Sequence, residues 1–289
     1  MLDLHTHSTA SDGDLTPTEL VNAADAAELS AVALTDHDTV AGLERFNTAG
    51  RNARVRTVDG VEIACKWYSG SLHLVGLFLN ADTPALRALL ERIRNNREIR
   101  NRTIAARLNE MGVPIAYDDV KAATEDGMVG RPHFAAKLVE MGYCGSTKEA
   151  FDSYLARGCS AYVQRELPLP EEGIATLHAA GSVVIWAHPF GGVAGTRMSR
   201  SRQVARELVK HGLDAVEIHY CDYTPAQQAA AKRLAAEFNL LVSGGSDFHG
   251  GHLQGIKLGV GYGDLRVPDN ILPPLEARAA HWKQVVDTQ

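Results

Sequence analysis

The chain has 289 residues, 45% of them hydrophobic, and a formal net charge of −6. That length and apolar content suit a full-sized core in one large α/β domain or in a barrel carrying an insertion. The acidic balance argues against a general nucleic-acid coat. No apolar run reaches the roughly 18 residues of a membrane helix, and the polar start Met-Leu-Asp-Leu-His-Thr-His lacks the apolar stretch of a signal peptide, so a cytoplasmic protein is expected.

Short β-branched runs alternate with helical patterns along the chain. Strands are expected at Leu2–Leu4, Ala31–Thr35, Arg56–Ile63 and Leu72–Leu79, and again at Val183–Ala187, Ala215–His219 and Leu240–Ser243. A further extended run is read at Leu258–Gly261. The first helix, Thr16–Ala27, opens on Thr-Pro followed by Thr-Glu, a helix-start signal with proline in the first turn. Glu171–Ala180, Ser201–His211 and Thr224–Glu237 keep the same βα rhythm, which implies a parallel sheet closed or nearly closed into a barrel.

Between about Asp82 and Arg165 the rhythm gives way to helices. Pro84–Met111 is long and rich in arginine, and Tyr117–Thr124, Pro132–Met141 and Thr147–Leu155 follow across glycine-bearing turns. The expected organisation is a barrel of residues 1–81 and 166–289, with residues 82–165 as a helical insertion over the barrel mouth, where βα loops project. A last helix is expected at Ile271–Val286, after two prolines. Four scattered cysteines, Cys65, Cys144, Cys159 and Cys221, form no Cys-x-x-Cys pair and read as reduced bystanders.

The candidate chemistry sits at the expected strand ends. His5 and His7 close the first strand as an i, i+2 pair, so both imidazoles share a face. Asp12 follows in Ser-Asp-Gly-Asp, and His37 lies in Thr-Asp-His-Asp just past the second strand. Glu62 lies near the end of the third strand and His73 opens the fourth. His188 ends a strand in Ala-His-Pro, and Asp247 and His249 form a second i, i+2 pair in Ser-Asp-Phe-His. Imidazole with carboxylate suits Zn, Mn, Fe or Ni, and the lack of thiolate disfavours a structural zinc. Nine ligands exceed the needs of one ion, so two or three divalent ions with a bridging carboxylate are expected. Such a centre suits phosphate-ester hydrolysis, because paired ions clamp the attacking and leaving oxygens.

These ordered motifs resemble the PHP family, the polymerase-and-histidinol-phosphatase group of metal-dependent phosphoesterases. The resemblance spans both halves of the chain. It implies an α/β fold, a distorted (β/α)7 TIM-like barrel with a helical insertion domain. It also implies a trinuclear centre, often manganese, with hydroxide generated at the metals as nucleophile. By resemblance, His5, His7, Glu62 and Asp247 hold the first ion, and Glu62 bridges to a second that also takes His73 and His188. Asp12, His37 and His249 hold the third. Asp12 stands where many members carry histidine, which changes the charge at that position. Glu62, Asp247 and His249 are the candidates for direct catalytic roles.

The arrangement Val-Gly-Arg-Pro-His-Phe at residues 129–134 resembles the stand-alone members that act on nucleotides. That implies removal of the 3′-phosphate of nucleoside 3′,5′-bisphosphates, with 5′→3′ trimming of short RNA or histidinol-phosphate hydrolysis as alternatives. The expected partner is a small phosphorylated nucleotide or short RNA, with neither membrane nor double-stranded DNA. Arg131, at an expected helix start, is the leading seat for a second phosphate, with His133 and Arg197 as further substrate contacts. Arg200, Arg202 and Lys257 are weaker candidates. The arginines of the long helix, among them Arg97 and Arg100, read as a solvated face. Trp67, Tyr68, Tyr143 and Phe190 are available for base stacking, with packing as their ordinary role.

Overall fold

The computed structural model describes residues 1–68, 70–122, 128–191, 198–251 and 255–288. Seven strands form one sheet in chain order: β1 (Leu2–Asp3), β2 (Ala31–Leu34), β3 (Arg56–Trp67), β4 (Gly70–Leu77), β5 (Val183–Trp186), β6 (Ala215–Tyr220) and β7 (Leu241–Gly245). The amide of Leu4, just past β1, donates to the Gly244 carbonyl of β7 at 3.1 Å, which brings the sheet back on itself as a nearly closed barrel. Alternate residues fill its interior, among them Leu2 and Leu4, Ala31 and Ala33, Val75 and Leu77, and Val183 and Ile185.

One expectation is corrected here. The sheet is not wholly parallel, because β4 runs antiparallel to both β3 and β5. β3 and β4 are joined as a hairpin in which Trp67 pairs with Gly70, too short a link for the crossover that parallel strands need. The reversal puts the start of β4, with His73, at the same barrel end as the last residues of the other strands. Nor is Leu258–Gly261 a strand. It is a turn closed by a Lys257–Gly261 bridge, with Gly259 and Gly261 at φ of 75° and 56°, where extended structure stops.

Helices follow the strands as the capping signals predict. α1 (Pro17–Ala26) starts on Thr16, whose side chain and that of Glu19 form a capping box. α2 (Leu43–Gly50) has no counterpart among the helices expected from the sequence. It buries only Leu43 and Phe46, and Gly42 gives it no side-chain cap, so it leaves a faint pattern. The long α3 (Pro84–Glu110) leads to α4 (Tyr117–Ala122), α5 (Arg131–Glu140) and α6 (Thr147–Ala150), the last running into a π-turn over Phe151–Leu155. Thr124, the expected end of the α4 segment, lies outside the described residues. The barrel then resumes with α7 (Pro170–Ala179), α8 (Met198–Lys210), α9 (Pro225–Glu237) and α10 (Leu272–Asp287).

The chain forms two compact units, one of Met1–Leu90 with Pro168–Gln289 and one of Glu91–Leu167. The second has its own core, built on Ile104, Leu108, Phe134, Leu138 and Leu155. Among the described residues no helix is long and apolar enough to cross a membrane. The four cysteines are free.

Candidate metal centre

The strand ends of the barrel unit bring all nine expected ligands together. Three groups form in which each residue offers a donor atom within 4.8 Å of the others. They are His5, His7, Glu62 and Asp247; His7, Asp12, His37 and His249; and His37, Glu62 and His73. His188 joins through its Nε2, 3.1 Å from Glu62 Oε1. The grouping differs from the expected sets in detail, since His7 stands with Asp12, His37 and His249, and His37 stands also with Glu62 and His73.

Glu62 is the hub. It is fully buried, and its two oxygens face different imidazoles. Oε2 lies 3.3, 3.4 and 2.8 Å from nitrogens of His5, His7 and His37. Oε1 lies 2.8 Å from His73 Nδ1 and 3.1 Å from His188 Nε2. A carboxylate shared this way is where two ions can be bridged. The donors also lack other employment: His5 Nε2, both ring nitrogens of His7 and Glu62 Oε2 are buried without a hydrogen-bond partner. Buried polar atoms are normally satisfied, so converging orphans fit divalent cations chemically.

Charge in the cluster is strongly coupled. Burial works against the Glu62 carboxylate, but His37, His73 and His5 outweigh it and hold Glu62 well below its usual range. Burial likewise opposes ionisation of Asp247, and His5 and His7 hold it low. Burial would lower His37, yet Glu62 and Asp12 raise it to about 9. His7 falls to about 4, through burial and the charges of His249 and His37.

A second set of buried groups fixes the first, and reading the motifs alone missed it. Glu217, 2% exposed inside β6, places Oε1 3.2 Å from His5 Nδ1 and accepts the His188 amide on Oε2 at 2.8 Å. The Tyr220 hydroxyl donates to Asp247 Oδ2 at 3.0 Å. Asp36 accepts the Ser8 amide and the Ser8 and Ser11 hydroxyls at 2.6–2.7 Å, tying the Asp12 loop to the end of β2. Burial pushes Asp36 up to about 6 against those hydrogen bonds. Asp3 accepts the amide of Ser246 at 2.9 Å and that of Gly259 at 2.8 Å. The available signal was an acid within an apolar strand run, as in Ala-Val-Glu-Ile, because a buried charge needs partners. Backbone strain gathers here too. Asp38, His188 and Asp247 have φ of 54°, 31° and 53°, a region that non-glycine residues seldom enter. At Gly245 any Cβ would overlap the His5 backbone, so the close approach of β7 to His5 requires glycine.

Two relatives and a solved structure match this chain along most of its length. The PHP domain matches residues 3–108. A 5′-3′ exoribonuclease of Haemophilus influenzae is 40% identical over 86% of this chain and 89% of its own. The chain belongs to the PHP family. A 3′,5′-nucleoside bisphosphate phosphatase of Chromobacterium violaceum is 31% identical over 86% of this chain and 87% of its own. A solved structure from Bifidobacterium adolescentis, described as that of a metal-dependent phosphoesterase, is 29% identical and covers 96% of each chain with a TM-score of 0.81. As a PHP protein of this kind, the chain is a metal-dependent phosphoesterase, a hydrolase.

The expected substrate contacts fare unevenly. In the second unit Arg131 opens α5, gives Nη1 to the Leu155 carbonyl at 3.2 Å, and lies over the Phe151 and Tyr162 rings at 5.8 and 5.5 Å. His133 Nδ1 accepts the Gly130 amide at 2.9 Å, which gives it a helix-capping role. Arg197 lies outside the described residues. Arg202 is paired with Glu237 at 2.7 Å, and Phe190 is buried. The solvated reading of the α3 arginines is corrected at Arg100, which is only 7% exposed. Burial, with the like charges of Arg97, Arg165 and Arg131, lowers Arg100 to about 9. Its Nε is buried without an acceptor. The α3 sequence concealed this because arginine is ordinarily a surface residue.

Proposed function

We propose that this PHP protein hydrolyses the bond between the 3′-oxygen and phosphorus of a 5′-phosphorylated nucleotide, releasing a nucleoside 5′-monophosphate. The observation that carries the reading is Glu62 dividing five imidazoles between its two oxygens. His5, His7, Glu62 and Asp247 would hold one ion, Glu62, His73 and His188 a second, and Asp12, His37 and His249 a third. Manganese is the proposed metal, with zinc and iron as the alternatives. Divalent ions bound there supply electrophilic polarisation of the phosphate and activation of water.

The chain's own groups do the positioning. Tyr220, whose phenol burial keeps protonated, orients Asp247 by donating to its outer oxygen. The His249 Nδ1 lies 2.8 Å from the Asp247 carbonyl, so one i, i+2 pair is fixed by its own backbone. Asp247 and His249 are the proposed proton carriers toward the leaving 3′-oxygen. Arg131, which opens α5, is the proposed contact for a substrate phosphate, since a planar guanidinium suits a phosphate partner.

Nucleoside 3′,5′-bisphosphates are the leading substrate. Short 5′-phosphorylated RNA is the second, favoured by the 40% identity to an exoribonuclease. Both lose the same bond. The test is phosphate and nucleotide release from a bisphosphate, a short RNA and histidinol phosphate, with bound metal quantified in the same preparation. Turnover of either nucleotide substrate, lost on chelation and restored by manganese, is expected. Histidinol phosphate as the only substrate would refute the nucleotide reading.

A further inference from the structure

The hairpin of β3 and β4 outruns the barrel. Glu62 pairs with Val75 inside the wall, Ala64 with His73 at the metal cluster, and Lys66 with Ser71 beyond it. Residues two apart on a strand share a face, so Glu62, Ala64 and Lys66 point to one side of the arm. Paired residues share it as well, which puts Lys66 and Ser71 on the same side as His73. Lys66 therefore stands two residue pairs farther out than His73, roughly 7 Å along the strand. Tyr68 follows at the end of the arm.

Three features of this extension call for a ligand. Lys66 is exposed and makes no ion pair among the described residues, although its amide donates to the Pro168 carbonyl at 2.8 Å and pins the arm. Tyr68 is 70% exposed, with its ring edge-on to Trp67 at 5.2 Å between centroids. Tyr68 also sits at φ 43°, where glycine would be unstrained and a bulky residue is an outlier. An exposed cation on the face of the metal cluster, with an exposed aromatic two residues farther along the chain, matches the alternation of phosphate and base in a single strand.

We propose that this arm is the binding track for the nucleotides that follow the scissile bond in a short RNA. Lys66 holds the next phosphate, about one nucleotide's reach beyond the cluster, and Tyr68 stacks on a base. The inference rests on the phosphoesterase reading above and adds its choice of substrate length. A bisphosphate has no downstream nucleotide and does not use the arm.

The test compares the metal-loaded wild type with Lys66→Gln and Tyr68→Gly. Tyr68→Gly relieves the backbone strain, so an unchanged or raised melting temperature shows that folding is preserved. Turnover of a nucleoside 3′,5′-bisphosphate is expected to stay within two-fold. KM for a 5′-phosphorylated tetranucleotide is expected to rise roughly ten-fold in Tyr68→Gly. In Lys66→Gln the slope of log affinity against log salt should shrink by about 0.7. Fluorescence anisotropy with a phosphorothioate-linked tetranucleotide measures the arm without turnover. Equal losses on both substrates, or unchanged tetranucleotide binding in both variants, would overturn the proposal. A wild type inert toward both substrates would instead sink the phosphoesterase reading, and the anisotropy would still decide the arm.

Discussion

Glu217 touches His5 through one oxygen and the backbone of strained His188 through the other. It thus aims one imidazole and holds the main chain beside another without joining the donor groups. Outer partners of this kind usually contribute 10–100-fold to metal affinity or activity. Glu217→Gln should therefore lower bound metal or turnover by roughly that factor while leaving the fold intact, as read by metal analysis and circular dichroism. His37 supplies a pH prediction. Its imidazole is raised to about 9 from the ordinary 6.5, because Glu62 and Asp12 outweigh burial. The folded, metal-free protein holds this proton more tightly than the unfolded chain does. Its contribution to metal-free stability is complete below pH 6.5 and fades as pH rises through about 9. A metal ligand must be deprotonated. Metal uptake near neutral pH should thus release protons, and affinity should climb toward pH 9; proton counting in a weakly buffered titration checks both.

At the level of elements, the far end of the barrel is clasped by one acid. Asp214 precedes β6, at the opposite end from the ligands. Its Oδ2 accepts the Val184 amide and lies 2.9 Å from His178 Nε2 of α7. From α10 it accepts Arg278 Nη1 at 3.1 Å and Trp282 Nε1 at 3.2 Å. The His178 and Trp282 rings stack at 3.6 Å. α10 is therefore fastened to α7 and to the starts of β5 and β6 through a single buried carboxylate. Asp214→Ala leaves several donors without an acceptor and should cost about 3 kcal/mol of stability. Urea unfolding checks the loss. Metal content at low temperature should stay at the wild-type level, since none of these groups faces the cluster.

For the whole molecule, the chain divides its resources between units of different chemistry. The barrel unit gathers imidazoles and carboxylates, and the Glu91–Leu167 unit buries a guanidinium among like charges. With Arg131 as the proposed phosphate contact, Arg131→Ala should raise KM for a bisphosphate several-fold and for a nucleoside 3′-monophosphate much less. Equal effects on the two substrates would remove Arg131 from that role.

The metal chemistry was legible in the chain alone, because most of the candidate ligands sit at or just past the end of a short apolar run and two pairs repeat at i, i+2. Strand periodicity turns such spacing directly into a shared face. The capping box at Thr16 and Glu19 was readable for the same local reason. What local patterns could not carry was direction and partnership. An apolar run looks alike in either orientation, so the reversal of β4 appears only when its pairing with β3 and β5 is known. Glu217 and Arg100 look like ordinary charged residues until distant segments surround them. Their roles depend on which buried atoms they meet, and contacts between segments far apart in the chain, 212 residues for Glu217 and His5, are decided by packing in three dimensions.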